Sequence, residues 1–101
     1  MKKNTYGYVY IMTNRKNGTL YVGVTSDVYR RIHEHKTGAG DGFAKRYSLH
    51  TLVYIEQYRF ITEAIAREKQ LKAGRRKMKI DLIETINPEW KDLAEEWYEW
   101  L

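Results

Sequence analysis

The chain has 101 residues, no cysteine and a formal net charge of +5. This length leaves room for one domain. The lack of cysteine excludes disulfides and thiolate metal sites, which fits a reducing compartment. No apolar run is long enough for a signal peptide or a membrane span, so we expect a cytoplasmic protein with no membrane partner. The charge is uneven, because residues 1–87 carry +9 and residues 88–101 carry −4.

The first predicted elements are two strands joined by a polar stretch containing Asn17-Gly18, which is typical of a β-hairpin. Side chains alternate between the two faces of a strand. Tyr10 therefore lies opposite the aliphatic residues of the first strand, and Tyr21 and Gly23 lie opposite those of the second. Gly23 leaves space for another backbone or a ligand. The alternative is a structural sheet with two half-buried aromatic strands. The two runs are Tyr8–Met12 and Leu20–Thr25.

A helix is predicted next, with Ser26 as its N-cap and Asp27 in its first turn. Arg31 and His35 are four residues apart, so their side chains meet on one face of this helix. A guanidinium binds phosphate through paired hydrogen bonds, and an imidazole exchanges a proton near neutral pH. The alternative for such a pair is a solvated position on the surface.

Two basic segments follow in the chain. The glycine-bearing stretch Gly38–Gly42 lacks the spacing of a nucleotide-binding loop, so we expect no nucleotide cofactor. Lys45 and Arg46 come directly after it. Such clusters suit the backbone of a polyanion, although a basic run can also be a solvated face. The second segment contains Lys69, Lys72, Arg75, Arg76, Lys77 and Lys79.

A carboxylate interrupts the apolar stripe of the helix predicted over Thr62–Ala73, which Gly74 ends. Glu68 falls three residues after Ile65 and three before Leu71, where a hydrophobic residue is expected. Buried carboxylates are rare unless they are paired or bind a metal. Glu68 is therefore either one partner of an ion pair across the core or part of a metal site.

The C-terminal part of the chain predicts two further helices, Arg76–Ile86 and Pro88–Trp100. Asn87 would cap the second helix, with the only proline at its first position. We expect residues 87–101 to form an acidic, aromatic helical extension that closes the core. A self-association or partner surface is the alternative, because two aromatic residues lie off its main stripe. These are Tyr98 and Trp100, while the main stripe contains Trp90, Leu93, Trp97 and Leu101.

Taken in order, these motifs resemble the GIY-YIG nuclease domains, and in particular their small stand-alone members. Tyr8 stands where the first tripeptide of the family has glycine. The resemblance covers nearly the whole chain. The matching segments are Tyr8–Tyr10, Tyr21–Gly23, Val24–His35, Phe43–Tyr47, Leu52–Tyr54, Ala64–Lys69 and Leu82–Trp90.

The resemblance implies an α+β fold for a single domain over residues 1–101. Its sheet would have three strands, antiparallel or mixed, in the order β-β-α-β-α-α, with flanking helices and a C-terminal amphipathic helix. The third strand would lie near Thr51–Tyr58. The implied activity is hydrolysis of DNA phosphodiester bonds with one divalent cation, Mg²⁺ or alternatively Mn²⁺, held by Glu68.

The resemblance and the chemistry of each group together suggest roles for the catalytic residues. Arg31 would neutralise charge on the phosphoryl oxygens. Tyr21 would remove the proton from the attacking water, Tyr10 would hydrogen-bond in the same cluster, and His35 would relay or accept that proton. The division of roles among Tyr10, Tyr21 and His35 stays open.

DNA is the expected partner, and a branched, flapped or damaged DNA in repair or recombination is the expected substrate. The competing hypothesis is a DNA-binding module of the same fold with little activity, in which the tyrosine cluster is structural. A homodimer or a protein partner could bind through the C-terminal aromatic segment. The residues expected to bind nucleic acid are Lys45, Arg46, Lys69, Lys72, Arg75 and Arg76.

Overall fold

The chain folds into a three-stranded antiparallel sheet with helices on both faces, as shown by a computed structural model that describes residues 6–38 and 46–97. The sheet order is β2-β1-β3, so the first strand is central. The predicted α+β class and the order β-β-α-β-α-α are confirmed. No helix within the described ranges is long and apolar enough to cross a membrane. The elements are β1 (Gly7–Thr13), β2 (Leu20–Thr25), α1 (Val28–Thr37), β3 (Thr51–Tyr58), α2 (Ile61–Ala73) and α3 (Arg76–Ile86).

The predicted hairpin is formed by β1 and β2. Tyr10 pairs with Gly23 across the two strands. Asn17 in the turn has a φ of 58°, a left-handed conformation that asparagine tolerates well. The Asn14 side chain accepts a hydrogen bond from the backbone N–H of Thr19 at 3.0 Å, which helps to hold the turn.

Both faces of the sheet are buried, so the tyrosine face forms a second core layer. On the aliphatic face, the sheet packs against α2 and α3. On the tyrosine face, Tyr10 and Met12 pack against Val28 and Ile32 of α1. The aliphatic-face cluster includes Val9, Ile11, Val22, Ala64, Leu71 and Ile83.

A β-bulge changes the alternation on β3. Ile11 pairs with Tyr54 and Met12 with Leu52, so Val53 is an extra residue between these two pairs. Val53 and Tyr54 therefore belong to the same core cluster, on the aliphatic face. Leu52 packs on the tyrosine face.

The N-cap of α1 and the first residue of α2 each lie one residue from the predicted position. Asp27, not Ser26, caps α1, because its carboxylate accepts the backbone N–H of Arg30 at 3.2 Å. The second helix begins at Ile61 with Phe60 as N-cap, not at Thr62. The Glu63 carboxylate accepts the Phe60 backbone N–H at 3.4 Å, as the acidic residue of a capping box does.

The prediction of a helix over Pro88–Trp100 is wrong for the described residues, since residues 88–97 form turns and irregular backbone. Asn87 ends α3 instead of starting a new helix. Its buried side-chain amide donates to the carbonyls of Val53 at 3.1 Å and Lys91 at 2.8 Å, and its Oδ1 accepts from the Lys91 N–H at 3.0 Å. These bonds hold the chain in a turn against the edge of β3.

Beyond this turn the chain crosses from one face of the sheet to the other. Trp90 has a φ of 59°, which excludes a continuous helix, and it packs in the aliphatic-face cluster. The Leu93 N–H donates to the Leu52 carbonyl at 2.7 Å, and Trp97 packs on the tyrosine face. Tyr98 and Trp100 lie outside the described residues, so a partner surface there stays a prediction.

Candidate active site

The hydroxyl of Tyr10 is the meeting point of three predicted site residues. Its Oη lies 3.0 Å from Nε2 of His35, and the Nε of Arg31 donates to it at 3.3 Å. A hydroxyl that accepts from a guanidinium can still donate its own proton to an imidazole nitrogen. Tyr10 and His35 are each only 1% exposed. The polar cluster is therefore built inside the core layer between β1 and α1.

Tyr21 completes this cluster from the neighbouring strand. Its ring centroid lies 6.3 Å from that of Tyr10 and 5.2 Å from that of His35. Tyr21 is half-buried, and the Arg31 side chain is 24% exposed. These two residues, and not the buried pair of Tyr10 and His35, connect the cluster to the surface.

Gly23 makes room for this arrangement. A Cβ atom built on Gly23 would lie 2.3 Å from Oη and 2.4 Å from Cζ of Tyr10. The sequence predicts that the space at Gly23 admits another backbone or a ligand. It is filled by the Tyr10 ring itself, because the two residues pair directly across the strands.

Arg31 stays charged in this partly buried position. Burial by itself lowers the pKa of the guanidinium. Hydrogen bonds with Tyr10, Glu34 and Tyr21, together with the electrostatic interaction with Tyr10, outweigh that effect and raise the pKa above its ordinary value. Its Nη1 also pairs with Glu34 at 3.1 Å. The neighbouring Arg30 has a side chain 66% exposed and pairs with acidic side chains of the same helix.

Glu68 lies on α2, the helix that packs on the aliphatic face of the sheet. The inward residues of this helix are Ala64 and Leu71, whereas Ile65 is exposed. The Glu68 side chain is 12% exposed and pairs with Lys72 at 2.7 Å. Its ion-pair partner is thus on its own helix and not across the core. Its place in one site with the tyrosines stays a prediction.

The described residues offer few protein ligands for a metal ion at Glu68. Within the described part of the chain, no three His, Cys, Asp or Glu side chains form a group that could hold an ion. Mg²⁺ is commonly held by one or two carboxylates together with waters and substrate phosphates. A single half-buried carboxylate is compatible with that mode of binding.

The residues expected to bind nucleic acid differ in their surroundings. Lys69 and Arg75 are exposed, as is Arg46, whose guanidinium lies 5.8 Å from the centroid of the Tyr47 ring. Lys45 lies outside the described residues.

Arg76 has a structural contact that the sequence did not predict. Its Nη2 donates to the carbonyls of Asn17 at 2.8 Å and Gly18 at 2.6 Å. Arg76 therefore ties the start of α3 to the hairpin turn. Among the described members of the predicted nucleic-acid-binding set, Arg76 thus bonds to backbone carbonyls and Lys72 pairs with Glu68.

A second polar cluster, centred on Glu56, was missed in the sequence. Arg67 of α2 donates to the Glu56 carboxylate from Nε and Nη2, each at 3.1 Å, and Tyr58 donates at 2.8 Å. Tyr54 also donates to it. Burial and the Glu56 charge raise the pKa of Tyr54 to about 12. The alternation Tyr54-x-Glu56-x-Tyr58 was the available signal. The cluster anchors α2 to β3.

Comparison with known proteins identifies the family. Residues 6–81 match the family model of the GIY-YIG catalytic domain, which covers about three quarters of the chain. The chain belongs to the GIY-YIG family. The predicted resemblance is therefore confirmed, and this family membership implies a nuclease-type function. The family match ends before Asn87 and the irregular segment that follows it.

Several relatives within the GIY-YIG family carry the name UPF0213. A UPF0213 protein of Haloquadratum walsbyi is 36% identical over 81 residues, covering 80% of this chain and 90% of that protein. One from Staphylococcus haemolyticus is 38% identical over 77 residues, covering 76% and 93%. The solution NMR structure of UPF0213 protein BH0048 from Bacillus halodurans has a TM-score of 0.52, with 28% identity over 90% of this chain and 95% of that one.

Proposed function

We propose that this GIY-YIG domain is an endonuclease that hydrolyses DNA phosphodiester bonds with a divalent cation. The observation that carries the proposal is the Tyr10 hydroxyl, which contacts both the Arg31 guanidinium and the His35 imidazole inside the family-matched region. This network holds the positively charged Arg31 guanidinium at the boundary between the core and solvent. A positively charged side chain held in place in this way suits a reaction in which negative charge develops on a phosphate.

Arg31 is the residue we assign to the scissile phosphate. Tyr10 and Glu34 hold its guanidinium in place, and about a quarter of its side chain remains exposed. Because these contacts exist before substrate binds, little reorganisation is needed when charge develops on the phosphoryl oxygens. The planar group can also bind two phosphate oxygens at once.

Tyr21 is the phenol that a water molecule at the surface can reach. Tyr10 and His35 are too buried to touch a surface phosphate. We therefore assign the removal of the proton from the attacking water to Tyr21. The buried pair holds Tyr21 and Arg31 in position and offers a route by which the proton can be relayed.

Glu68 is the residue that would hold the cation, Mg²⁺ or Mn²⁺. When bound, such an ion polarises the scissile phosphate and stabilises the leaving oxygen. The Glu68 carboxylate would have to exchange its contact with Lys72 for the ion. The exposed Lys69 and Arg75 would contact the DNA backbone without reading its sequence. Because such contacts do not read sequence, we propose a substrate selected by DNA structure, as in repair or recombination.

The decisive experiment compares two adjacent arginines on a panel of DNA structures. Plain duplex, flapped and branched DNA are incubated with Mg²⁺ or Mn²⁺, and with a chelator as blank. Arg31→Ala should lower kcat by about 10²–10³, the usual cost of one preorganised donor. Arg30→Ala is the matched control and should change little, because its side chain is mostly exposed.

Two outcomes would contradict the proposed role of this site. The first is equal loss of activity in both alanine variants, which would mean that the helix face is wrong. The second is full rescue by Arg31→Lys, because an ammonium cannot make the planar two-point contact. Absence of cleavage on every DNA structure would reject the nuclease function itself.

A DNA-binding module with little activity is the second candidate. The observation that favours it is the Glu68 carboxylate, which is already paired with Lys72. This candidate predicts DNA binding that weakens steeply as salt rises, without cleavage at any divalent-ion concentration. Cleavage that disappears in Glu68→Ala while binding persists would exclude it.

A further inference from the structure

The segment that follows α3 reaches the end of α1 that carries His35. This segment lies beyond residue 81, where the family match ends. We propose that Asp92 is a positioning residue for the Tyr10–His35 pair and acts through Lys36. The inference rests on the proposed nuclease function for its effect on turnover, but not for its effect on His35.

Asp92 is anchored on β3 and on its own segment. Its Oδ1 accepts the backbone N–H groups of Leu52 and Ala94, both at 3.1 Å, and its Oδ2 pairs with Nζ of Lys36. The side chains of Asp92 and Lys36 are each 22% exposed. Because three donors hold the Asp92 carboxylate at the edge of the sheet, its contact with Lys36 can hold the last turn of α1 in place.

Lys36 and His50 connect Asp92 and β3 to the backbone of α1. The Nζ of Lys36 also donates to the His50 carbonyl at 2.9 Å. The Nδ1 of His50 lies 3.2 Å from the His35 carbonyl, and since a carbonyl only accepts, Nδ1 is the donor. The last turn is thus tied to residues 50–52 on one side and to Asp92 on the other.

The last turn of α1 is held by the packing of the His35 ring against Tyr10 and Tyr21 and by the capping N–H of Gly38, but not by aliphatic residues of α1. Its buried apolar residues are Val28 and Ile32, both in its first two turns, and the only buried residue after them is His35. Helix ends fray unless their terminal groups are held. Because the His35 Nε2 lies 3.0 Å from the Tyr10 hydroxyl, a small shift of this turn would break the contact.

The experiment uses the full chain, four single variants and the double variant of Asp92→Asn with Lys36→Gln. Asp92→Asn keeps an oxygen for the two backbone donors but removes the charge that pairs with Lys36. Lys36→Gln breaks the same pair from the other side. Glu89→Gln is the matched control, because Glu89 is an exposed carboxylate in the same segment that pairs with Lys91 at 3.3 Å. Lys36→Arg, which keeps the ion pair, is the conservative rescue.

The first readout is the ¹⁵N NMR signals of the His35 ring, which report its contact with Tyr10. Asp92→Asn and Lys36→Gln should shift these signals in the same direction, and the double variant should shift them no further. Glu89→Gln and Lys36→Arg should match the wild type. The second readout is cleavage, where Asp92→Asn should lower kcat about ten-fold with little change in KM, since a misplacement of 1 Å can cost up to about 10².

Asp92 would be merely structural if its asparagine variant melts earlier but keeps the wild-type His35 signals and kcat, and that result would overturn the inference. If Asp92→Asn does not fold, Lys36→Gln decides by the same two readouts. If the wild type cleaves no DNA, the proposed function fails, and the His35 signals still decide whether Asp92 positions the ring.

Discussion

Replacing Gly23 by alanine should damage the fold and the candidate site together. The new Cβ would lie 2.3 Å from Oη of Tyr10, and 2.4 Å from its Cζ. Both distances are far shorter than a van der Waals contact. Gly23 does not have a positive φ, so the alanine itself introduces no backbone strain. The whole effect would come from displacing the Tyr10 ring.

The size of the effect follows from the burial of that ring. Tyr10 is 1% exposed and holds contacts with His35 and Arg31. Overpacking a core typically costs about 1–3 kcal/mol. Losing hydrogen bonds of a buried hydroxyl adds about 1–3 kcal/mol. We expect the free energy of unfolding to fall by about 2–6 kcal/mol, which lowers the melting temperature of a domain this size by on the order of 10–50 °C.

Urea and thermal unfolding followed by circular dichroism would measure this loss. Gly74→Ala is the matched control, because its Cβ would meet the Cε of Met78 at 2.1 Å, and the end of a methionine side chain moves easily. Its cost should stay below about 1 kcal/mol. A Gly23→Ala protein with wild-type stability and unchanged His35 signals would refute the assignment of Tyr10 to this space.

Three further predictions concern other polar groups. Glu68→Gln should abolish Mg²⁺-dependent cleavage and leave unfolding by urea nearly unchanged; retained cleavage would exclude the metal role. Asn87→Ala should lower the free energy of unfolding by about 1–3 kcal/mol, because the Val53 carbonyl loses its buried donor; an unchanged urea midpoint would contradict this. Burial raises the pKa of Glu56 but hydrogen bonds from Arg67 outweigh it, so the folded pKa is lowered. The stability from this pair is present above the unfolded pKa and is lost as pH falls through the folded pKa, and Glu56→Gln should remove that part of the acid dependence of melting.

The hairpin and α1 could be predicted because their signals are local. The alternation of Tyr10 with aliphatic neighbours, and the Asn17-Gly18 pair, are enough to place two strands and a turn. The spacing of Arg31 and His35 places both on one helix face, where they meet the same hydroxyl. Each of these inferences depends on residues fewer than about ten positions apart, where the geometry of a single element decides the outcome.

The C-terminal segment could not be predicted in the same way. Trp90 and Trp97 have a helical spacing, yet they pack on opposite faces of the sheet. The chain turns because the Asn87 amide bonds to Val53, a residue 34 positions earlier. A cap and an amphipathic stripe describe only the neighbours of a residue. Neither pattern indicates that the Val53 carbonyl, on the edge strand β3, needs a hydrogen-bond donor from this segment.

The candidate site and the core share the same side chains, and this limits how its residues can be tested. A buried phenol must find partners for its hydroxyl, whether or not it takes part in catalysis. Tyr10 finds them in His35 and Arg31, so removing Tyr10 would lower stability and activity together. Arg31 and Tyr21 extend from this cluster toward solvent, and substitutions there can change turnover while the core remains packed. A separation of kcat from stability is therefore expected at these two positions and not at Tyr10.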